Sequence, residues 1–220
     1  KQSLITAADL DGEETLEAEV VVVGTGAGGA VVAKELAQRG HAVLMIEEGR
    51  HYDRVDFTTV DRVTLNRQMY RRGGALATMG NGVIALPVGR TVGGTTTINS
   101  GTCFRTPDAV LKSWMADGLP DLSPEAMAPH FERVERHLHV AEATWPALGR
   151  IAEIIRDGAE ALGLSHHPLS RNAEGCDGQG LCCFGCPTDA KRSTNVSYVP
   201  MALQHGAMCL TECRVDSIII

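Results

Sequence analysis

An α/β fold built on a parallel sheet, and interrupted by a mainly helical segment, follows from three observations. The β-branched run Val20-Val21-Val22-Val23 stops at Gly24. Apolar residues Ala30, Val31, Ala33, Leu36 and Ala37 then recur at helical spacing over residues 27–38, and Gly40 ends the pattern. A second short apolar run, residues 41–46 (HAVLMI), follows directly. Two short apolar runs around a helix predict strands buried in a parallel sheet, because a crossover helix covers what an antiparallel hairpin would leave to water.

The remaining elements are taken in order. Residues 1–17 carry Asp9, Asp11, Glu13, Glu14 and Glu17 and read as a solvated lead-in. Residues 18–106 hold the first part of the sheet domain, with an irregular, Arg-rich excursion over 49–85 and a Gly/Thr-rich loop over 89–101. Residues 107–169 form a helical insertion. Ser123-Pro124-Glu125 is a helix start, with Ser as N-cap and Pro in the first turn. Pro129 must lie near that start or kink the helix. A second helix is expected over 148–162, ended by Gly163. Residues 170–220 return to the sheet domain through a Cys-rich loop (175–188), a helix over 193–204 and a strand over 213–220.

Composition narrows the partners. The 220 residues are 44% hydrophobic and 21% charged, which excludes wholesale disorder. Lys plus Arg is 20 against 27 Asp plus Glu, a net charge of -7, with no basic block, which argues against nucleic acid. The uncharged stretch 20–33 is too short to span a bilayer. Seven cysteines, two of them adjacent (Cys182, Cys183), do not form the framework of a secreted domain. A reducing, cytoplasmic setting is the default. The sequence opens at Lys1 without a secretory signal and closes inside an apolar run, so a truncated chain is expected.

Gly24-Thr25-Gly26-Ala27-Gly28-Gly29 fits G-x-G-x-x-G, and here it follows a strand and opens a helix. Glu47 lies 23 residues after Gly24, at the end of the second strand, where an acid meets ribose hydroxyls. Gly24 permits the tight turn. Gly26 leaves room for a pyrophosphate against bare backbone. Gly29 lets helix and strand pack closely. The helix N-terminus offers unpaired N–H groups and partial positive charge to phosphates. An acid at Glu47 disfavours a 2′-phosphate, so FAD or NAD is expected rather than NADP. A second Gly-rich loop, residues 89–99 (GRTVGGTTTIN), favours the flavin, whose tricyclic ring needs another stretch of backbone along its edge. An NAD-dependent dehydrogenase remains the rival.

These motifs resemble the N-terminal part of the glucose–methanol–choline (GMC) oxidoreductases, an FAD-dependent family. Residues 21–49 (VVVGTGAGGAVVAKELAQRGHAVLMIEEG) and residues 89–105 (GRTVGGTTTINSGTCFR) carry the likeness, and residues 191–207 followed by 213–218 extend it. The resemblance implies a Rossmann-type FAD domain. It places Glu47 on the ribose and Gly24, Gly26 and Gly29 on the pyrophosphate, with Ala27 and Arg90 inside the same motifs. It sets Gly93, Gly94 and Asn99 against the isoalloxazine and Val215 against the adenine. No His stands among residues 95–99, so non-covalent FAD is expected.

The family oxidises alcohols by passing a hydride to flavin N5 while a base takes the hydroxyl proton. In the family that base is a C-terminal His, and residues 1–220 hold no such motif. No catalytic residue is assigned, and a C-terminal half or a partner chain is expected to complete the site. The Cys-rich stretch Cys176-x5-Cys182-Cys183-x2-Cys186-Pro187 has three readings: a thiol or disulfide loop, structural zinc, or an iron–sulfur cluster on Cys176, Cys182 and Cys186. It resembles both the long-chain alcohol oxidase-like subgroup and certain sugar dehydrogenases that carry a three-iron cluster. The expected substrate is a small-molecule alcohol, long-chain or sterol-like, with oxygen or a redox partner as electron acceptor. A non-catalytic FAD-binding subunit is the reading from another class.

Overall fold

A computed structural model describes residues 3–10 and 12–219. In chain order its elements are β1 (Leu4–Thr6), β2 (Val20–Val23), α1 (Ala27–Gln38), β3 (Val43–Ile46), α2 (Arg54–Thr59), α3 (Arg62–Met69), α4 (Thr95–Ile98), α5 (Asp108–Ala116), α6 (Pro124–Leu138), β4 (Ala141–Glu142), α7 (Trp145–Ala161), β5 (Ser170–Arg171), α8 (Tyr198–Gln204) and β6 (Met208–Thr211). They fall into two compact units, Lys1–Ser100 with Leu181–Ile220, and Gly101–Gly180.

The first unit is built on a parallel sheet of order β1-β6-β3-β2. Val22 pairs with Met45 and Met45 with Cys209, so the β-branched run and the second apolar run lie side by side in register. The helix between them turns small residues inward. Ala30, Ala33 and Ala37 are buried, and this alanine face lets α8 pack closely on α1. A second core cluster joins Tyr52, Phe57, Leu65, Met69, Tyr70 and Ile98. Asp53 and Asp61 cap α2 and α3 by accepting from the backbone N–H groups of Val55 and Asp56, and of Val63 and Thr64.

Three expectations for this unit change. The lead-in contributes a strand: Leu4, Ile5 and Thr6 pair with Cys209, Leu210 and Thr211 at the sheet edge. Asp11 lies outside the described residues. The expected strand over 213–220 is displaced. The strand is Met208–Thr211, Glu212 has φ +58° and breaks the ladder, and residues 213–219 run irregularly, with Ile220 outside the described residues. The helix expected over 193–204 begins only at Tyr198. Residues 193–197 are spent on side-chain hydrogen bonds, and Pro200 then falls in the first helical turn, where its missing N–H costs little.

The second unit is helical, with a two-stranded antiparallel pair of β4 and β5. It is larger than the segment 107–169. Residues 101–103 pair with 170–172 through Cys103 N–H to the Ser170 carbonyl at 2.9 Å and Asn172 N–H to the Gly101 carbonyl at 3.1 Å. Ser123 caps α6, accepting from Ala126 N–H at 3.1 Å, and Pro129 lies within that helix. The helix expected over 148–162 starts at Trp145 and is interrupted at Gly149, which has φ +75° and ψ 177°. Neither α6 nor α7 buries a residue, and Ile151, Ile154 and Ile155 on α7 are exposed. Among the described residues no helix is long and apolar enough to cross a membrane.

Candidate functional site

The first Gly-rich loop leaves β2 at Gly24, whose φ of +89° is the left-handed conformation that an L side chain resists. Gly26 is the N-cap of α1, and no side chain caps that helix end, so its first N–H groups remain for another acceptor. Apart from its chain neighbours, no described residue would come within 4 Å of a Cβ added to Gly26. Gly29 is different: a Cβ there would drive into the Gly24 carbonyl, so its role is close packing between helix and turn. Gly94 comes against Gly26, where a Cβ added to Gly94 would lie only 3.1 Å from the Gly26 Cα.

Buried polar groups lock the two loops together. Thr25 is fully buried. Its hydroxyl donates to Glu47 Oε2 at 2.7 Å and accepts from Gly93 N–H at 3.0 Å. Its own N–H donates to the same carboxylate oxygen at 3.0 Å. Glu47 Oε1 accepts from Gly49 N–H at 2.9 Å. Thr194 closes the junction from the far end of the chain, donating to the Thr25 carbonyl at 2.9 Å. Behind this junction, burial and the nearby Glu47 push the Cys209 thiol up to about 12.

A cleft of about 880 Å³ opens along the C-terminal ends of β2 and β3. It gathers six of the residues singled out from the sequence: Gly24, Gly26, Glu47, Arg90, Gly94 and Val215. The other four lie elsewhere. Ala27 is exposed on the first turn of α1, and Gly29 packs against Gly24. Gly93 is buried, where a Cβ would strike the Thr97 hydroxyl. Asn99 caps the end of α4 and is exposed, with its carbonyl accepting from Lys191 Nζ. Sequence reasoning missed Glu48, Arg71, Arg72 and Arg214, which also line the cleft. Arg71 pairs with Glu48. The signal was the Arg71-Arg72-Gly73-Gly74 run, a basic pair followed by a turn in which Arg72, Gly73 and Gly74 all have positive φ.

Four arginines against two glutamates make the cleft suited to a polyanion. The bare backbone at Gly26 and the uncapped end of α1 fit a pyrophosphate. The volume suits a large ligand. The cysteines assigned to a cluster, Cys176, Cys182 and Cys186, are partly buried. Among the described residues no group of three or more His, Cys, Asp or Glu side chains is arranged to hold a metal ion.

The comparisons agree with this geometry. The family model for GMC oxidoreductase matches residues 66–220, and that for an NAD(P)-binding Rossmann-like domain matches residues 22–52. A GMC-type oxidoreductase of Mycobacterium tuberculosis is 38% identical over 210 residues, covering 95% of this chain and 33% of that protein. A long-chain-alcohol oxidase of Arabidopsis thaliana is 30% identical over 213 residues, covering 96% of this chain and 28% of that protein. The crystal structure of pyridoxine 4-oxidase from Mesorbium loti superposes with a TM-score of 0.62 at 14% identity, covering 89% of this chain and 42% of that one. The chain thus spans about a third of the length of the relatives it matches first.

Proposed function

Since the chain belongs to the GMC oxidoreductase family, we propose that it is the FAD-binding part of an enzyme that oxidises an alcohol to a carbonyl. One observation carries this reading. Both Gly-rich loops, the carboxylate of Glu47 and a cluster of arginines converge on a single cleft at the C-terminal ends of parallel strands.

The roles follow from the chemistry of each group. The uncapped N–H groups at the start of α1, with Arg90 and Arg72, hold the pyrophosphate. Glu47 uses three of its roughly four acceptor sites on Thr25 and Gly49, which leaves capacity for a ribose hydroxyl. Val215 offers an apolar edge for the adenine, and Gly94 brings bare backbone to the isoalloxazine. Bound there, non-covalently, FAD supplies the acceptor for the hydride of a C–OH group. The chain's own residues bind and orient, and the proton-accepting base lies outside residues 1–220. A long-chain alcohol is the proposed substrate, from the likeness to the Arabidopsis long-chain-alcohol oxidase, with oxygen or a redox partner taking the electrons.

The test is the visible spectrum of the full-length protein before and after anaerobic addition of a long-chain alcohol. Flavin bands that bleach are expected. Bands that persist would favour a different substrate or a non-catalytic FAD-binding subunit. A protein that stays colourless after addition of FAD would overturn the reading and favour NAD. Stoichiometric iron, with broad absorption left after bleaching, would favour electron transfer through a cluster at Cys176, Cys182 and Cys186.

A further inference from the structure

Lys191 is 1% exposed, and its Nζ donates at 2.7 Å to three backbone carbonyls, those of Thr97, Asn99 and Cys182. An ammonium carries three donors, and here each has a carbonyl. Thr97 and Asn99 close the second Gly-rich loop. Cys182 belongs to the Cys-rich loop. The Lys191 N–H also donates to Cys186 Sγ at 3.3 Å, so main chain and side chain grip the same loop.

That Cys-rich loop is itself anchored. Tyr70 Oη donates to the Cys183 carbonyl at 2.7 Å, and Arg54 Nε to the Pro187 carbonyl at 3.0 Å. A Cβ on Gly185 would enter the Phe57 ring, and Phe184 packs on the second core cluster. Three residues after Lys191, Thr194 holds the middle of the second Gly-rich loop through the Gly93 carbonyl at 3.2 Å. Residues 191–194 therefore fasten that loop at its middle and its end, and Lys191 links that end to the Cys-rich loop. A buried charge is unfavourable unless its donors are met, and here they are met only while three separate carbonyls stay at one point.

We propose that Lys191 is a positioning residue for the cofactor, clamping the end of the second Gly-rich loop to the Cys-rich loop in the shape that receives the flavin. The clamp is a property of this chain. Its effect on the flavin rests on the FAD reading above. It gives the Cys-rich loop a task that needs no metal, because the groups used at Cys182 and Cys183 are carbonyls.

The test compares Lys191→Met, of similar length but without charge or donors, with Lys191→Arg in the full-length protein. Amide hydrogen exchange is read on the cofactor-free protein, and FAD affinity by fluorescence titration. Lys191→Met is expected to speed exchange at Thr97 and Asn99 by about tenfold or more while amides of α1 and β3 stay within about twofold. FAD affinity should fall by about tenfold or more. Lys191→Arg, whose planar fork cannot meet three converging carbonyls, should loosen the same amides to a lesser degree. Exchange that rises equally in β3 and α1 would reduce Lys191 to general stability and overturn the proposal, as would unchanged exchange at Thr97 and Asn99. If Lys191→Met gives no soluble protein, Lys191→Gln takes its place, and the same exchange and affinity outcomes support or overturn the clamp. A wild-type protein that binds no FAD would refute the FAD reading, while the exchange measurement still decides the clamp.

Discussion

The two Gly-rich segments of the first unit use glycine in opposite ways. In residues 24–29, Gly26 faces open space while Gly29 is jammed against backbone. In residues 89–94, Gly89 is pressed against the Gly94 carbonyl and Gly93 against Thr97 and Asn195. Of the Gly93-Gly94 pair, Gly94 alone reaches the cleft. The first segment therefore keeps one glycine against open space, whereas every glycine of the second comes close to protein atoms, even Gly89 and Gly94, which line the cleft. Glycine spacing marks where backbone comes close to something. It does not say whether that something is a ligand or the protein itself.

The substitutions that break this contrast can be ranked. Gly29→Ala should have the largest effect, costing about 3 kcal/mol or preventing folding, because backbone must move to admit the Cβ. Denaturant midpoints would show it, and a variant as stable as the parent would remove the packing role. Gly89→Ala should behave alike for the same reason. Thr25→Val keeps the shape but strips a buried hydroxyl that serves Glu47 and Gly93, for about 2–3 kcal/mol. Thr194→Val should cost about 1 kcal/mol. Their double-mutant cycle should be non-additive, since both hydroxyls bond to Gly93, Thr25 accepting from its N–H and Thr194 donating to its carbonyl.

Near neutral pH the smallest effect concerns Cys209. Its folded-state value of about 12 lies above the ordinary thiol value of 9.0. The folded state therefore holds a proton that the unfolded state gives up between those values. Stability from this group is intact below about pH 9 and falls as pH rises, by at most about 1.4 kcal/mol per pH unit up to about 12. In the native protein at pH 8, Cys209 should resist iodoacetamide while the exposed Cys183 reacts, as mass spectrometry would read.

Much of the first unit was legible because its information is local. The helix over 27–38 and the paired apolar runs appear where the periodicity put them. What escaped depends on distant partners. Leu4 and Ile5 look like part of an acidic leader until β6 is there to pair with. Arg71 and Arg72 reach the cleft only through a left-handed turn. Asn99 sits in a recognisable motif and is exposed outside the cleft lining, and its carbonyl accepts from the distant Lys191. Lys191 opens the stretch 191–207 that extends the likeness, but its clamp could not be read there, since its partners are separated from it by up to 94 residues. In the second unit, the apolar face of α7 announced a helix, but its isoleucines remain exposed.

The most direct test of the account is Gly26→Ala, read for both stability and FAD affinity. Among the described residues, apart from its chain neighbours, none lies within 4 Å of the added Cβ, and the backbone there is ordinary, with φ −68°. Stability should stay within about 1 kcal/mol of the parent, with FAD affinity lowered by about tenfold or more. FAD binding unchanged in that variant would contradict the claim that the open face of the first Gly-rich loop receives the pyrophosphate.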